Sequence, residues 1–479
     1  DWVERHARSL IFIAFALTLA GIFPALPLPI QLFPTFSFPR VRIEVDSGDL
    51  PAQQMLIDVT EPLEKVSRAV PGAVNVTSTT TRGSAEIFVD FPWGSDMHRA
   101  VLNVDAAFAQ KLPDLPQGTG YDVIQMSPNA IMPFVSYALI SDKISPADLK
   151  TLAKYQIAPL LTGIPGIRQV STLGGETREV QVYVSPEKLQ TYGLTLTNLS
   201  DAISGTNTLE AVGRIQDNGL LYLTIENNQF SSIEAVRDVT LHTSNGGVVR
   251  LGDIAKVEMG SVPQWLLVDD NGQPSVNINV FQQNTADTLT LEKEVQAKLD
   301  AFMKTQPKSI QIHKWYDQAE LVRSSIGAVE EAIVIGLILA ACVILGFLRN
   351  WRAAFVAMIT VPMSVMTTCV LLSALGLSFN IMTLGGIAAA IGLLIDDAIV
   401  MVEQIARRAG VPGLEHPQRT VLSSAREFLS PLTGSSSATI IMFIPLAFLS
   451  GVTGAFFKSL SLTMAASLMR TPWWTSYFS

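Results

Sequence analysis

The chain has 479 residues, 48% of them apolar and 16% charged, and a formal net charge of −9. That is too apolar for an ordinary water-soluble protein and too polar for a chain made only of membrane spans, so both kinds of region are expected together. The acidic balance excludes a nucleic-acid surface, which needs clustered Lys and Arg, and the two cysteines, Cys342 and Cys369 in apolar runs, exclude a disulfide framework.

About 20 apolar residues cross a bilayer as a helix. Residues 9–30 meet that requirement behind Arg5 and Arg8, and their length and late prolines (Pro24, Pro27, Pro29) set them apart from a cleaved signal peptide. A long polar region follows, from Gln31 to about Ser325. In it Val41, Ile43 and Val45 alternate with polar neighbours, as do Val180, Val182 and Val184, and Val276, Ile278 and Val280. Each set predicts a half-buried strand. Leu56, Val59, Leu63, Val66 and Val70 recur at helical spacing, with Pro62 expected to bend or shorten that helix. The segment 71–78 (Pro-Gly-Ala-Val-Asn-Val-Thr-Ser) resembles 165–172 (Pro-Gly-Ile-Arg-Gln-Val-Ser-Thr), each after a helix and before strands. Duplicated β-α-β units of this kind predict two ferredoxin-like subdomains. Residues 176–260, rich in turn signals such as Asn227-Asn228 and Asn245-Gly246-Gly247, read as an insertion into the second.

Five more apolar runs close the chain, at 332–348, 353–375, 381–402, 432–449 and, more weakly, 454–469. Six alternating spans put Arg5 and Arg8, Arg349 and Arg352, and Arg407, Arg408, Arg419 and Arg426 on one side. The positive-inside rule makes that side the cytoplasm and places the large polar region outside. The run 381–402 contains Gly392-Leu-Leu-Ile-Asp-Asp-Ala-Ile-Val-Met-Val-Glu403. Asp396 and Asp397 lie about 7 Å from its midpoint at roughly 1.5 Å per residue, where each Asp costs about 3 kcal/mol to insert. Two carboxylates this close cannot both ionise easily, so the pair suits taking a proton from one side and releasing it to the other. Gly385, Gly386, Ala388, Ala389, Ala390 and Gly392 let a partner helix approach closely. Pro362 and Pro445 fall within spans three and five.

These features resemble the first half of the resistance–nodulation–cell division (RND) permeases. The stretches that carry the resemblance are Asn350-Trp-Arg-Ala-Ala354, Val361-Pro362, the Gly392–Glu403 run and Phe443-Ile-Pro-Leu-Ala-Phe-Leu-Ser-Gly-Val-Thr-Gly-Ala-Phe-Phe457. It extends to about Leu468. The implied fold is six transmembrane helices and a large α/β periplasmic porter region of two ferredoxin-like α+β subdomains with an inserted docking subdomain. The implied division is a first span (1–30), porter subdomain 1 (31–128), porter subdomain 2 (129–175 and 261–325), docking subdomain (176–260), spans two to six (326–469) and an atypical tail (470–479).

The implied function is that of an inner-membrane, proton-driven efflux permease, with Asp396 and Asp397 as the proton relay and Glu331 and Glu403 as supporting acids. Paired acids resemble the drug-exporting branch, which takes hydrophobic or amphiphilic compounds. Phe134 and Leu173 fall roughly where the family lines its substrate pocket. Core packing is the competing reading of both, and a solvated interface that of the two glutamates. The implied partners are two further copies in a homotrimer, a periplasmic adaptor, an outer-membrane channel, small amphiphilic substrates and protons. No nucleic acid, cofactor or resident metal is implied. The family also has a second homologous half, which supplies a lysine to the aspartates. The chain begins at Asp1 and ends in Arg470-Thr-Pro-Trp-Trp-Thr-Ser-Tyr-Phe-Ser479, which reads as a truncated half. A heavy-metal exporter of the same superfamily fits less well, because His6, His98, His242, His313 and His416 are scattered and soft ligands are not paired. A membrane-anchored enzyme lacks any catalytic constellation. A non-functional remnant fits the same family.

Overall fold

The computed structural model describes residue 16 and residues 28–218, 220–243, 246–264, 266–348, 351–409 and 417–468. Nearly all of the expected first span, Arg5, Arg8, Arg349 and the tail lie outside them.

Strands β1 (Arg40–Asp46), β2 (Asn75–Thr80), β3 (Ser84–Asp90) and β4 (Gly120–Gln125) form an antiparallel sheet in the order β2-β3-β1-β4. With helices α1 (Glu61–Arg68) and α2 (Met97–Lys111) between them, this is the chain path of a β-α-β-β-α-β unit. Val41, Ile43 and Val45 alternate inward because side chains on a strand have a period of two. They meet Val59 and Leu63 from one helical stretch and Val104 and Phe108 from α2. The stripe read from the sequence is displaced at its start. Leu56 is exposed, and Met55 fills the core instead. The cause is a π-helical turn at Met55–Thr60, whose wider i→i+5 bonding rotates the phase of the preceding residues. Pro62 follows that turn inside a helical stretch that runs on unbroken from Ala52, where its missing N–H removes one intrahelical bond next to the π turn.

The second unit opens with β5 (Val135–Ser141), α3 (Pro146–Leu152) and β6 (Ile167–Gly174). The chain then leaves it for 175–275. There β7 (Arg178–Val184) pairs with β12 (Ala255–Ser261), β8 (Leu209–Asp217) with β9 (Leu220–Asn227), β10 (Thr240–His242) with β11 (Val248–Arg250), and β13 (Asp269–Asp270) with β14 (Gln273–Pro274). It returns as β15 (Val276–Gln282), α4 (Thr288–Met303) and β16 (Ile310–Asp317). The sheet order is β16-β5-β15-β6, so β15 pairs with both strands made before the excursion. That order repeats the first sheet's. Tyr137, Leu139, Val276, Ile278 and Val280 form its core with Leu149, Ile157, Val295 and Leu299.

Five long helices follow: α5 (Gln318–Leu348), α6 (Trp351–Ala374), α7 (Ile381–Ala409), α8 (Pro417–Ala447) and α9 (Gly451–Leu468). Among the described residues, 318–346 and 381–401 are long and apolar enough to cross a membrane.

Helix α5 grows directly out of β16, and a charge cluster fixes that joint. Lys314 Nζ donates to Glu292 Oε1 at 2.8 Å and to Asp317 Oδ2 at 2.7 Å, while Arg323 donates to Glu292 Oε2 at 2.5 Å. The Glu292 and Asp317 side chains are almost fully buried. Burial alone would lower the Lys314 amine, yet the bonds to Asp317 and Glu292 outweigh it and hold its pKa above the usual lysine value. Removing Lys314 leaves the two buried carboxylates without the cation that both of them bond. Lys314→Ala is therefore expected to destabilise the second unit by about 3 kcal/mol, read as a lowered thermal midpoint. An unchanged midpoint would mean that the cluster contributes nothing at this joint.

Candidate functional site

Helix α7 carries the acidic pair, and its start is firmly set. Asn380 Oδ1 accepts from the Met382 and Thr383 amides at 3.0 and 3.1 Å, and Thr383 Oγ1 accepts from the Asn380 amide at 2.8 Å. This is reciprocal N-capping, and Ser378, Asn380 and Thr383 are all buried.

Further along, the helical period of 3.6 residues divides the small and acidic residues into two adjacent stripes. Gly386, Ala390, Leu394, Asp397 and Met401 share one, and all but Asp397 are buried. This stripe packs on α9, where Ala390 meets Met464 and Leu468. A Cβ on Gly386 would lie only 3.1 Å from Thr463 Cβ and 3.3 Å from the Leu460 carbonyl oxygen. Gly385, Ala389, Gly392 and Asp396 form the other stripe, and all four are exposed. Among the described residues, nothing stands within 4 Å of a Cβ built on Gly385 or Gly392. Among the described residues, the expected close approach of a partner helix is therefore made on one stripe and not on the other.

The two aspartates consequently have different surroundings. Asp397 is half-buried, and its Oδ2 accepts from Ser436 Oγ of α8 at 3.3 Å. Ser436 is itself buried. Asp396 lies on the open stripe. Glu403 is half-buried, seven residues beyond Asp396 and so on nearly the same face. Glu331 is exposed on α5. That helix passes close to α7, since a Cβ on Gly336 would lie 3.0 Å from Ile395 Cδ1. Around the rest of α7, Ile387 and Ile391 join Leu28, Val361 and Leu372 in one apolar cluster. On the far side, Thr368 Oγ1 of α6 and Ser467 Oγ of α9 are 3.1 Å apart. Such polar pairs hold helices together where water is absent.

The two candidate pocket residues singled out in the sequence, Phe134 and Leu173, are separated by the second sheet. Phe134 is fully buried in the core with the α4 side chains. Leu173 is exposed and opposes Asn277 on β15. Its face of the sheet continues through Asn279, which is flanked by Ser171 on β6 and Ser136 on β5. Directly opposed residues point the same way in an antiparallel ladder. Ser136 Oγ and Asn279 Oδ1 are buried without a hydrogen-bond partner among the described residues. The signal for this face lay in the alternation Val276-Asn-Ile-Asn-Val280, read earlier for its apolar half alone.

Comparison with known proteins places the chain in a family. A model of the AcrB/AcrD/AcrF family matches residues 3–472. The chain is 27% identical over 460 residues to the multidrug resistance protein MdtC of Escherichia coli O139:H28, covering 96% of this chain and 45% of that protein. It is likewise 27% identical to the MdtC proteins of Shigella sonnei and Shigella flexneri over 459 residues. The chain thus spans about half the length of the curated relatives it matches. It belongs to the AcrB/AcrD/AcrF family, and the resemblance to RND multidrug permeases holds.

The two stripes of α7 make an asymmetric test. Gly386→Leu drives a side chain into Thr463 and the Leu460 carbonyl, and overpacking of this kind costs about 1–3 kcal/mol. Gly385→Leu enters open space and gains helix propensity of up to about 1 kcal/mol. Thermal melting of the detergent-solubilised chain should fall for the first variant alone. Equal losses would refute the packing described for α7 and α9.

Proposed function

We propose that this member of the AcrB/AcrD/AcrF family is the inner-membrane permease part of a proton-driven pump that exports hydrophobic or amphiphilic compounds by substrate/proton antiport. The observation that carries the reading is the pair Asp396 and Asp397 inside α7, one on the packed stripe beside Ser436 and one on the open stripe. An ionisable pair in an apolar helix is costly and marks a proton path. Asp397 holds the proton against the helices described here, and Asp396 offers a second site towards whatever covers the open stripe. Glu403 and Glu331 are the supporting acids. The large α/β region stands on the periplasmic side, divided into two porter subdomains (31–128; 129–175 with 261–325) and a docking subdomain (176–260). Substrate passes over the Leu173–Asn277 part of one face of the second sheet, where the exposed apolar Leu173 beside the half-buried amide of Asn277 suits an amphiphile. Phe134 acts from behind, as core.

A second half completes the pump, and three copies work with a periplasmic adaptor and an outer-membrane channel. The β8–β9 ribbon supports self-assembly. Leu209, Ile215, Leu221, Leu223 and Ile225 are all more than half exposed along it. An isolated two-stranded ribbon is marginal in water, so a second copy is its natural cover. Leu221→Glu with Leu223→Glu is expected to shift the purified protein from trimer to monomer in light scattering. A trimer unaffected by both charges would exclude the ribbon from the interface.

The mechanism itself is tested on the acids, in a pump carrying this half joined to a matching second half. Asp396→Asn or Asp397→Asn should abolish export while folding survives, because Asn is nearly isosteric and costs less to bury than a carboxylate. It cannot bind and release a proton, and a pump cut off from a gradient worth about 2.3 kcal/mol per charge at 100 mV cannot concentrate its substrate. Export retained by both variants would make the pair structural and overturn the mechanism.

A further inference from the structure

Residues 29–32 form a short strap that touches three parts of the molecule at once. On one side it pairs with the loop before α7. Phe379 N donates to the Pro29 carbonyl at 3.1 Å, Gln31 N to the Phe379 carbonyl at 2.9 Å, and Ile381 N to the Leu32 carbonyl at 3.2 Å. On the other side it holds the turn between β15 and α4. Ile30 N donates to Asp287 Oδ2 at 2.8 Å, Thr288 N donates to the Ile30 carbonyl at 2.9 Å, and Gln31 Nε2 donates to the carbonyls of Asn284 at 2.6 Å and Ala286 at 3.1 Å. Asn284 reaches on to the segment joining the two sheets, where its Oδ1 accepts from Ser127 Oγ at 3.1 Å.

Gln31 is the centre of this junction. Its side chain is 2% exposed, and both Nε2 protons are spent on backbone carbonyls more than 250 residues away in sequence. Its own backbone N–H goes to the loop before α7, so one residue bonds both sides. Neither side is compliant. The loop is pinned by the buried Ser378, Asn380 and Thr383 set, and Asp287 is fixed as the cap of α4, its Oδ1 accepting from Thr290 N at 2.7 Å.

We propose that Gln31 is a positioning residue that passes movement of α7, the helix of the acidic pair, to the β15–α4 turn of the second sheet. This rests on the proton-driven reading above. A helix that shifts along its axis when an aspartate gains a proton carries its capped end with it, and the strap turns that shift into a pull on β15. Strand β15 is the one that carries Asn277 and Asn279 on the face proposed for substrate. Coupling between distant sites requires such a contiguous set of stiff contacts whose arrangement both ends bias.

The test uses the pump assembled from this chain and a matching second half, reconstituted in vesicles, with export and proton uptake measured together. Gln31→Leu keeps the volume and removes both donors. Export should fall about tenfold, within the usual range of a coupling between sites, while substrate-independent proton uptake persists. Gln31→Glu adds a readout that simple damage would not move. Its carboxylate cannot donate and faces the Asn284 and Ala286 carbonyls, one residue from Asp287, but its protonated form donates one bond, so export relative to the unaltered pump should recover as the pH falls. Undiminished export by Gln31→Leu would overturn the inference, as would parallel loss of uptake and export with no recovery in Gln31→Glu. Asp397→Asn is run beside them. If that variant still exports, the proton mechanism fails, a different outcome from failure of the strap.

Discussion

The fold is governed by one constraint, the cost of leaving a polar group unsatisfied where water is scarce. Helix α7 meets it at three points in different ways. At its start, Asn380 and Thr383 exchange bonds so that the first amides are not orphaned. In its middle, glycine and alanine let α9 approach until backbone and side chain touch, which replaces solvent with packing. Towards its end, Ser436 supplies the one described donor to Asp397. Each solution requires a neighbour, which is why α7 packs against α5, α6, α8 and α9 alike.

The same logic extends into the α/β region through the joint at β16 and α5. A strand that runs straight into a long helix would swing freely without a lock. Glu292 and Asp317, both nearly buried, demand cations, and Lys314 and Arg323 are placed on the strand and on the helix to supply them. The excursion at 175–275 does not weaken this unit, because the closing pairs of β15 with β5 and β6 are made across it. Loop closure costs rise only slowly with length, so a long insertion between adjacent strands is cheap if the strands themselves pair well.

Much of this was legible in local pattern, and the failures have local physical causes. Val41, Ile43 and Val45, and Val276, Ile278 and Val280, announce strands because a period of two needs no tertiary knowledge. The helical stripe holds at Val59, Leu63 and Val70 and slips only at its first position, Leu56 for Met55, since nothing in the composition announces a π turn. Asp396 and Asp397 stand out by cost alone. Their separation onto an open and a packed stripe follows from 100° per residue, but which stripe is covered depends on α9, whose apolar pattern is weak. Phe134 and Leu173 were grouped by resemblance, and the sheet lies between them. Gln31 left no trace, because its partners lie more than 250 residues away and are backbone carbonyls with no sequence signature.

The open stripe of α7 carries a further consequence. Gly385, Ala389 and Gly392 are as small as the residues that receive α9, yet among the described residues no side chain stands over the two glycines, and Asp396 lies in line with them. Facing lipid, that arrangement would place a carboxylate against hydrocarbon at about 3 kcal/mol with no compensating contact. Facing a second apolar helix, the small residues would permit close approach, and a donor or cation on that helix would satisfy Asp396 as Ser436 satisfies Asp397. Among the described residues Ser436 is a donor to Asp397, while Asp396 is exposed on the open stripe. Proton binding at Asp396 would then report on the covering helix, and proton binding at Asp397 on α8. A pair divided in this way can sense the relative position of two helix groups, which two carboxylates sharing one environment could not.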